Sequence, residues 1–188
     1  MFPSPKISFG ELRRRLRSDH SRLLQCLNSQ GICFRKSAYL HPSFHAVLFF
    51  RLANYFQAKG YRWLGRIVWH FNLLWTGADI SEHADIGEGF VVLHPAGVAV
   101  MGSVGINFTM AACSGLGGET GRLDDIGAGP GFCLVGDNVS LEPHSGILGP
   151  VTVGNNVKVG ALVVVTFDVP ENTHIQSHEY RAISNAKR

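Results

Sequence analysis

The sequence predicts a mainly β protein, a triangular parallel β-helix carrying an N-terminal α-helical segment, and three observations support that prediction. Aliphatic residues recur every six positions after residue 77, and residues 7–75 instead follow the helical period. Glycine is abundant, with 22 in 188 residues and no Gly-X-Y repeat, which points to many tight turns and away from collagen.

Residues 1–76 form the helical region. In the stretch HPSFHAVLFFRLANYF the series Phe44, Val47, Leu48, Arg51, Leu52 and Tyr55 falls on one helix face. Lys59-Gly60 stops that helix before a second run from Trp63 to Leu74. Trp63, Trp69 and Trp75 in this stripe are expected to pack as core.

Residues 77–175 form the solenoid. Ile80, Ile86, Val92, Val98, Val104, Met110 and Leu116 make one register, and Val135, Leu141, Ile147, Val153, Val159 and Val165 make a second. A period of six matches neither a helix nor a long alternating strand. It fits a prism in which each hexad is a short strand plus a turn and three hexads close one coil. Small residues often follow four positions later, as at Ala84, Ala96, Ser114 and Ser145, while glycine, Asn and Asp are expected at the corners. Between the registers, residues 117–134 lose the period and read as a loop extruded from one corner, a common place for function. Its glycines lack the GxxxxGK[ST] pattern of a phosphate loop. Residues 176–188 are left as a tail.

The net charge of +3 has a local source, the cluster Arg13, Arg14, Arg15, Arg17 and Arg22. A solvated helix face accounts for it, so no nucleic-acid partner is expected, while a peripheral membrane contact through this segment stays open. Cys26, Cys33, Cys113 and Cys133 have no CxxC spacing, which favours reduced thiols, a cytoplasmic location and no metal. No stretch has the apolar core of a signal or a membrane span.

Three segments resemble the serine acetyltransferase family of hexapeptide-repeat, left-handed β-helix acyltransferases: His41-Pro42-x-Phe44-His45 with Arg51-Leu52-Ala53, then GADISEHADIGEGFVVLHPAG at 77–97, then ILGPVTVGNNVKVGALVVVTFDVPENT at 147–173. The resemblance implies acetyl-CoA as co-substrate, a homotrimer with sites between subunits, and a catalytic pair at His94 and Asp79. It further implies a CoA surface including Gly117, Gly118, Ser145, Ala161, Thr166 and Arg181. Acyl transfer to a hydroxyl requires a base, and imidazole steadied by a carboxylate suits that task near neutral pH. Oxyanion donors are sought among backbone N–H groups near Gly102, Gly117 and Gly118.

Some positions depart from the family pattern. Residues 119–133 contain no histidine and only Arg122 where an Arg-His pair holds the amino-acid acceptor, and Gly102 replaces a glutamate. Phe167 stands where a lysine is common, and of the terminal motif only Arg181 remains. These departures favour a sugar of capsule or exopolysaccharide assembly as acceptor, with Arg122 contacting it. Serine is the alternative, and a non-catalytic β-helical scaffold is the reading from another class. Cys113 is read as a bland thiol, and His144, fifty residues from His94, is expected to lie nearly three coils away.

Overall fold

The computed structural model describes residues 7–29, 31 and 37–177, and Cys33, His178 and Arg181 fall outside them. Its fold is the expected left-handed parallel β-helix with an N-terminal helical region. Three helices come first: α1 (Phe9–Ser29), α2 (Pro42–Ala58) and α3 (Arg62–Thr76), with a short 3₁₀ turn at Ser37–Leu40. Ser8 Oγ accepts the Glu11 N–H at 3.1 Å, which caps α1. Pro42 suits the first turn of α2, where its missing N–H costs nothing. Gly77 ends α3 in the left-handed conformation, at φ 74°.

Fourteen short strands, numbered in chain order, then build three parallel faces. The first holds β1 (Asp79–Ile80), β4 (Ala99–Val100), β7 (Gly115–Gly117), β10 (Gly146–Leu148) and β13 (Val164–Val165). The second holds β2 (Asp85–Ile86), β5 (Ser103–Val104), β8 (Leu134–Val135) and β11 (Thr152–Val153). The third holds β3 (Val91–Val92), β6 (Thr109–Met110), β9 (Ser140–Leu141), β12 (Lys158–Val159) and β14 (His174–Ile175). The second residue of nearly every strand points into the prism and is buried. Along one corner Asn107, Asn138, Asn156 and Asn172 all adopt positive φ. Their amides form a ladder, each donating to the next at 3.0, 3.1 and 2.9 Å.

The second register is observed as expected, but the first is broken at one place. Ile80 pairs with Val100, not Val98, and Ile86 pairs with Val104. The corner leading to β4 is therefore two residues longer than a hexad, and the corner after it two residues shorter. In the sequence Val98 is indistinguishable from Val100, because both are buried aliphatics. Of the four small residues, Ala84, Ser114 and Ser145 are buried, whereas Ala96 is exposed in the longer corner and Val98 fills the interior there.

Helix α2 closes the first coil, with Ala46, Val47 and Phe50 joining the prism core. Phe50 meets Phe90 edge-on at 6.0 Å, and Phe90 stacks on Phe108 at 5.9 Å. The buried face is turned from the expected one toward Ala46, Phe50, Ala53 and Asn54, while Leu48, Leu52 and Tyr55 are only half-buried. The core expected for the tryptophans is likewise not observed: Trp63 is 84% and Trp75 63% exposed, and Ile67, Phe71 and Leu74 share their exposure. Within one chain, α3 spends its apolar stripe on solvent and packs through Gly65, Asn72 and Thr76. The close approach needs Gly65, since a Cβ there would lie 3.0 Å from the Ala53 carbonyl oxygen.

Candidate active site

His94 and Asp79 both project outward from the prism, and each is exposed. His94 lies in the lengthened corner, at φ 60°, a conformation that costs a non-glycine residue of order 1 kcal/mol. Backbone bonds hold that corner against the start of the solenoid: Gly97 N–H donates to Gly77 O at 3.0 Å, and Asp79 N–H to Val98 O at 2.8 Å. The loop carrying the imidazole is thus tied to the strand carrying the carboxylate. No hydrogen bond joins the two side chains; Asp79 Oδ1 instead accepts from Trp69 Nε1 at 2.9 Å. Contacts of this kind commonly tighten only once substrate is bound.

The helical region supplies neighbours that spacing along the sequence does not reveal. His41, which caps α2, accepts the Ser43 N–H through Nδ1 at 3.2 Å. Its pKa is lowered, first by burial and then by the positive charges that His94 and His45 carry when protonated. His45 Nδ1 accepts from Trp75 Nε1 at 3.3 Å. Both histidines use Nδ1 as acceptor, so in the neutral form each bears its proton on Nε2. Resemblance singles out the segment His41-Pro42-x-Phe44-His45, and only the fold shows that it stands beside His94.

A histidine whose folded pKa lies below the ordinary 6.5 binds more protons in the unfolded chain. Its contribution to stability is complete above that value and is lost as the pH falls through it. The melting temperature should therefore drop between about pH 7.5 and about pH 5.5. It should drop less in His41→Asn, which keeps a capping side chain, and thermal melts of the two proteins at each pH test this.

Below His94 the same corner carries Cys113 and then His144, both at positive φ. Cys113 is exposed, with Sγ 3.7 Å from the Ala96 oxygen. His144 follows β9, which pairs with β6, which pairs with β3. It is thus two coils below His94, about 10 Å, and not nearly three, because the extruded loop accounts for much of the separation in sequence.

Of the residues expected at a CoA surface, those that are described border the first face. Gly117 pairs with Leu148, Gly118 opens the excursion, and Ala161 and Thr166 are exposed. Ser145 is buried, its hydroxyl donating to Glu142 O at 2.7 Å, and its backbone N–H and carbonyl are bonded to Glu142 O and Gly115 N–H, so it presents no free polar group to a ligand. Arg122 pairs with Glu119 at 3.2 Å inside the extruded loop. That loop is internally bonded, with Asp125 Oδ1 accepting from Gly127 and Gly129. Gly102 sits in the shortened corner at φ 143°, and a Cβ there would lie 2.9 Å from Cys133 O, so no glutamate fits without rearrangement. Burial pushes the Cys133 thiol up to about 12. Among the described residues no cluster of His, Cys, Asp or Glu is arranged to hold a metal ion.

Comparisons with known proteins agree with this architecture. The family described as Bacterial transferase hexapeptide (six repeats) matches residues 132–166. Serine acetyltransferase of Helicobacter pylori is 31% identical over 133 residues, covering 70% of this chain and 75% of that protein. The Mycobacterium tuberculosis serine acetyltransferase is 32% identical over 134 residues, and the match spans 56% of its length. The soybean serine acetyltransferase apoenzyme superposes with a TM-score of 0.74 at 27% identity, covering 86% of this chain and 66% of that one.

Proposed function

Because the chain belongs to the serine acetyltransferase family, we propose that it is an acyltransferase that moves an acetyl group from acetyl-CoA to a hydroxyl, with His94 as general base. The observation that carries this reading is the position of His94: an exposed imidazole on the lengthened corner, bonded through the backbone to the strand of Asp79 and flanked by helix α2. In the reaction His94 takes the acceptor's hydroxyl proton as its oxygen attacks the thioester carbonyl. The tetrahedral oxyanion then collapses, the carbon–sulfur bond breaks, and the imidazolium returns the proton to the departing CoA thiolate. Asp79 stabilises the imidazolium between these steps.

L-serine is the acceptor favoured by the named relatives, over the sugar that the departures in sequence favour. With Gly102 and the histidine-free loop, serine's carboxylate must be held by other side chains, for which the Nε2–H groups of His41 and His45 are donors of the right kind, while its ammonium requires an acceptor. A homotrimer with sites between subunits is supported by the exposed apolar residues Leu148, Leu162, Val164 and Phe167 on and around the first face, and by the uncovered stripe of α3. No described helix is long and apolar enough to cross a membrane, and the membrane contact through the basic N-terminus gains no support.

The test is release of CoA from acetyl-CoA with L-serine, UDP-sugars and oligosaccharides as acceptors, using material whose mass is first determined by light scattering. Release with L-serine by a trimer is expected. Release with a sugar alone overturns the acceptor and keeps the acyl transfer. A folded trimer that neither releases nor binds CoA at millimolar concentration overturns the enzyme in favour of a scaffold.

A further inference from the structure

We infer that Trp69 is a positioning residue for Asp79, an assignment that rests on the reading of Asp79 and His94 as a catalytic pair. The indole Nε1–H donates to Asp79 Oδ1 at 2.9 Å. The indole is itself held on several sides. The Arg66 guanidinium lies over its ring at 4.8 Å, and Arg66 Nη2 reaches the carboxylate of Glu82, whose side chain is 2% exposed, at 3.1 Å. The His70 ring meets the indole edge-on at 4.5 Å. A chain of contacts therefore runs from a buried carboxylate at the first corner of the prism, through α3, to the exposed carboxylate beside the candidate base.

An exposed aspartate in water samples several rotamers, and only some of them serve a neighbouring imidazole. One fixed donor selects among them. An indole suits the task because it donates without carrying charge and without titrating. A lysine or arginine at the same place would neutralise the carboxylate and weaken its attraction for the imidazolium, whereas a neutral N–H leaves that charge and the second oxygen, Oδ2, at the disposal of His94. Arg66 is kept from competing for Asp79 by its pairing with Glu82. The other titratable groups around these residues are His41, which interacts with both His94 and His45, Cys113 on the corner below His94, and His70 beside Trp69.

The experiment compares Trp69→Phe, which keeps a ring and removes the donor, with Trp69→His, which keeps a ring N–H. Each is made alone and in an Asp79→Asn background. For Trp69→Phe, kcat should fall about tenfold with both KM values unchanged, Trp69→His should regain most of the loss, and neither change should lower kcat further once Asp79 is Asn. The imidazole nitrogen resonances of His94, followed by NMR and needing no turnover, should move in Trp69→Phe and stay in place when Asp79 is already Asn. Unchanged kcat and His94 resonances in Trp69→Phe overturn the assignment, as does a loss that is equally large in the Asp79→Asn background, since packing alone would produce it. If no acceptor is turned over by the unaltered protein yet the His94 resonances move only when Asp79 is present, the positioning role stands and the acyl-transfer reading falls.

Discussion

Replacing His94 with alanine is expected to lower kcat for CoA release by about 10²–10⁴, with the fold and the melting temperature nearly unchanged. The size follows from the acceptor: an alcohol is a poor nucleophile at neutral pH unless its proton leaves as the new bond forms, and among the exposed residues of the lengthened corner only His94 can take that proton. Stability should hold because His94 is exposed and makes no hydrogen bond that the change would break. Its positive φ makes alanine no less strained than histidine there, and glycine would relieve the strain. His94→Gly should therefore be equally inactive and slightly more stable, which separates the chemical role from the conformational one. A variant that retains turnover within threefold of the original removes His94 as the base.

The largest expected loss of stability lies elsewhere, at Asp19. Arg51 and Asp19 form an ion pair at 2.9 Å with both side chains 1% exposed. Arg51 also donates to the carbonyls of Ile86 and Gly87, at 2.6 Å each, while Asp19 Oδ1 accepts the Phe90 N–H at 2.8 Å. One pair thereby satisfies the backbone of the first coil where it meets α1 and α2. Asp19→Ala leaves a guanidinium buried without its counter-charge, which costs about 3–5 kcal/mol. For a chain of this size that corresponds to a fall of roughly 10 °C in melting temperature. Asp19→Leu combined with Arg51→Met should recover part of the loss, because no unpaired charge remains, but not all of it, because the Gly87 oxygen loses the Arg51 donor and the Phe90 N–H its acceptor, while the Ile86 oxygen keeps Arg15. Calorimetry of the single and double variants decides; a single variant within 1 °C of the original shows that water reaches the pair.

Much of this architecture is legible in spacing alone. A hydrophobic period of six suits a stacked prism and little else, and the second register lands strand by strand because its corners are regular. Where corner length varies, periodicity misleads: Val98 keeps the phase, yet Val100 pairs with Ile80, and only the backbone bonds of the flanking Asp79 and Ser81 tell them apart. A related effect misplaces His144, since residues in an extruded loop add to sequence distance without adding height. The exposed tryptophans of α3 show a different ambiguity, for a helical stripe announces that something must cover it and not whether the cover belongs to the same chain. His94 and Asp79 are reached through the resemblance, with their spacing as support. His41, His45 and Trp69 belong to another part of the chain altogether, and their proximity to the pair exists only after α2 and α3 have folded over the first coil.

The paired irregularity around Val100 also bears on how such a protein can diverge. Two residues gained before β4 are given back before β5, so Ile86 and Val104 are again eighteen apart and the phase is kept as far as Leu116, where the extruded loop begins. In a reading frame this would be an insertion followed by a compensating deletion, harmless downstream and consequential only in between. What lies in between is the loop of His94 and the tight turn at Gly102. A lineage can thus resculpt the mouth of its site by trading length across a single strand, while the stacked coils below transmit none of the change.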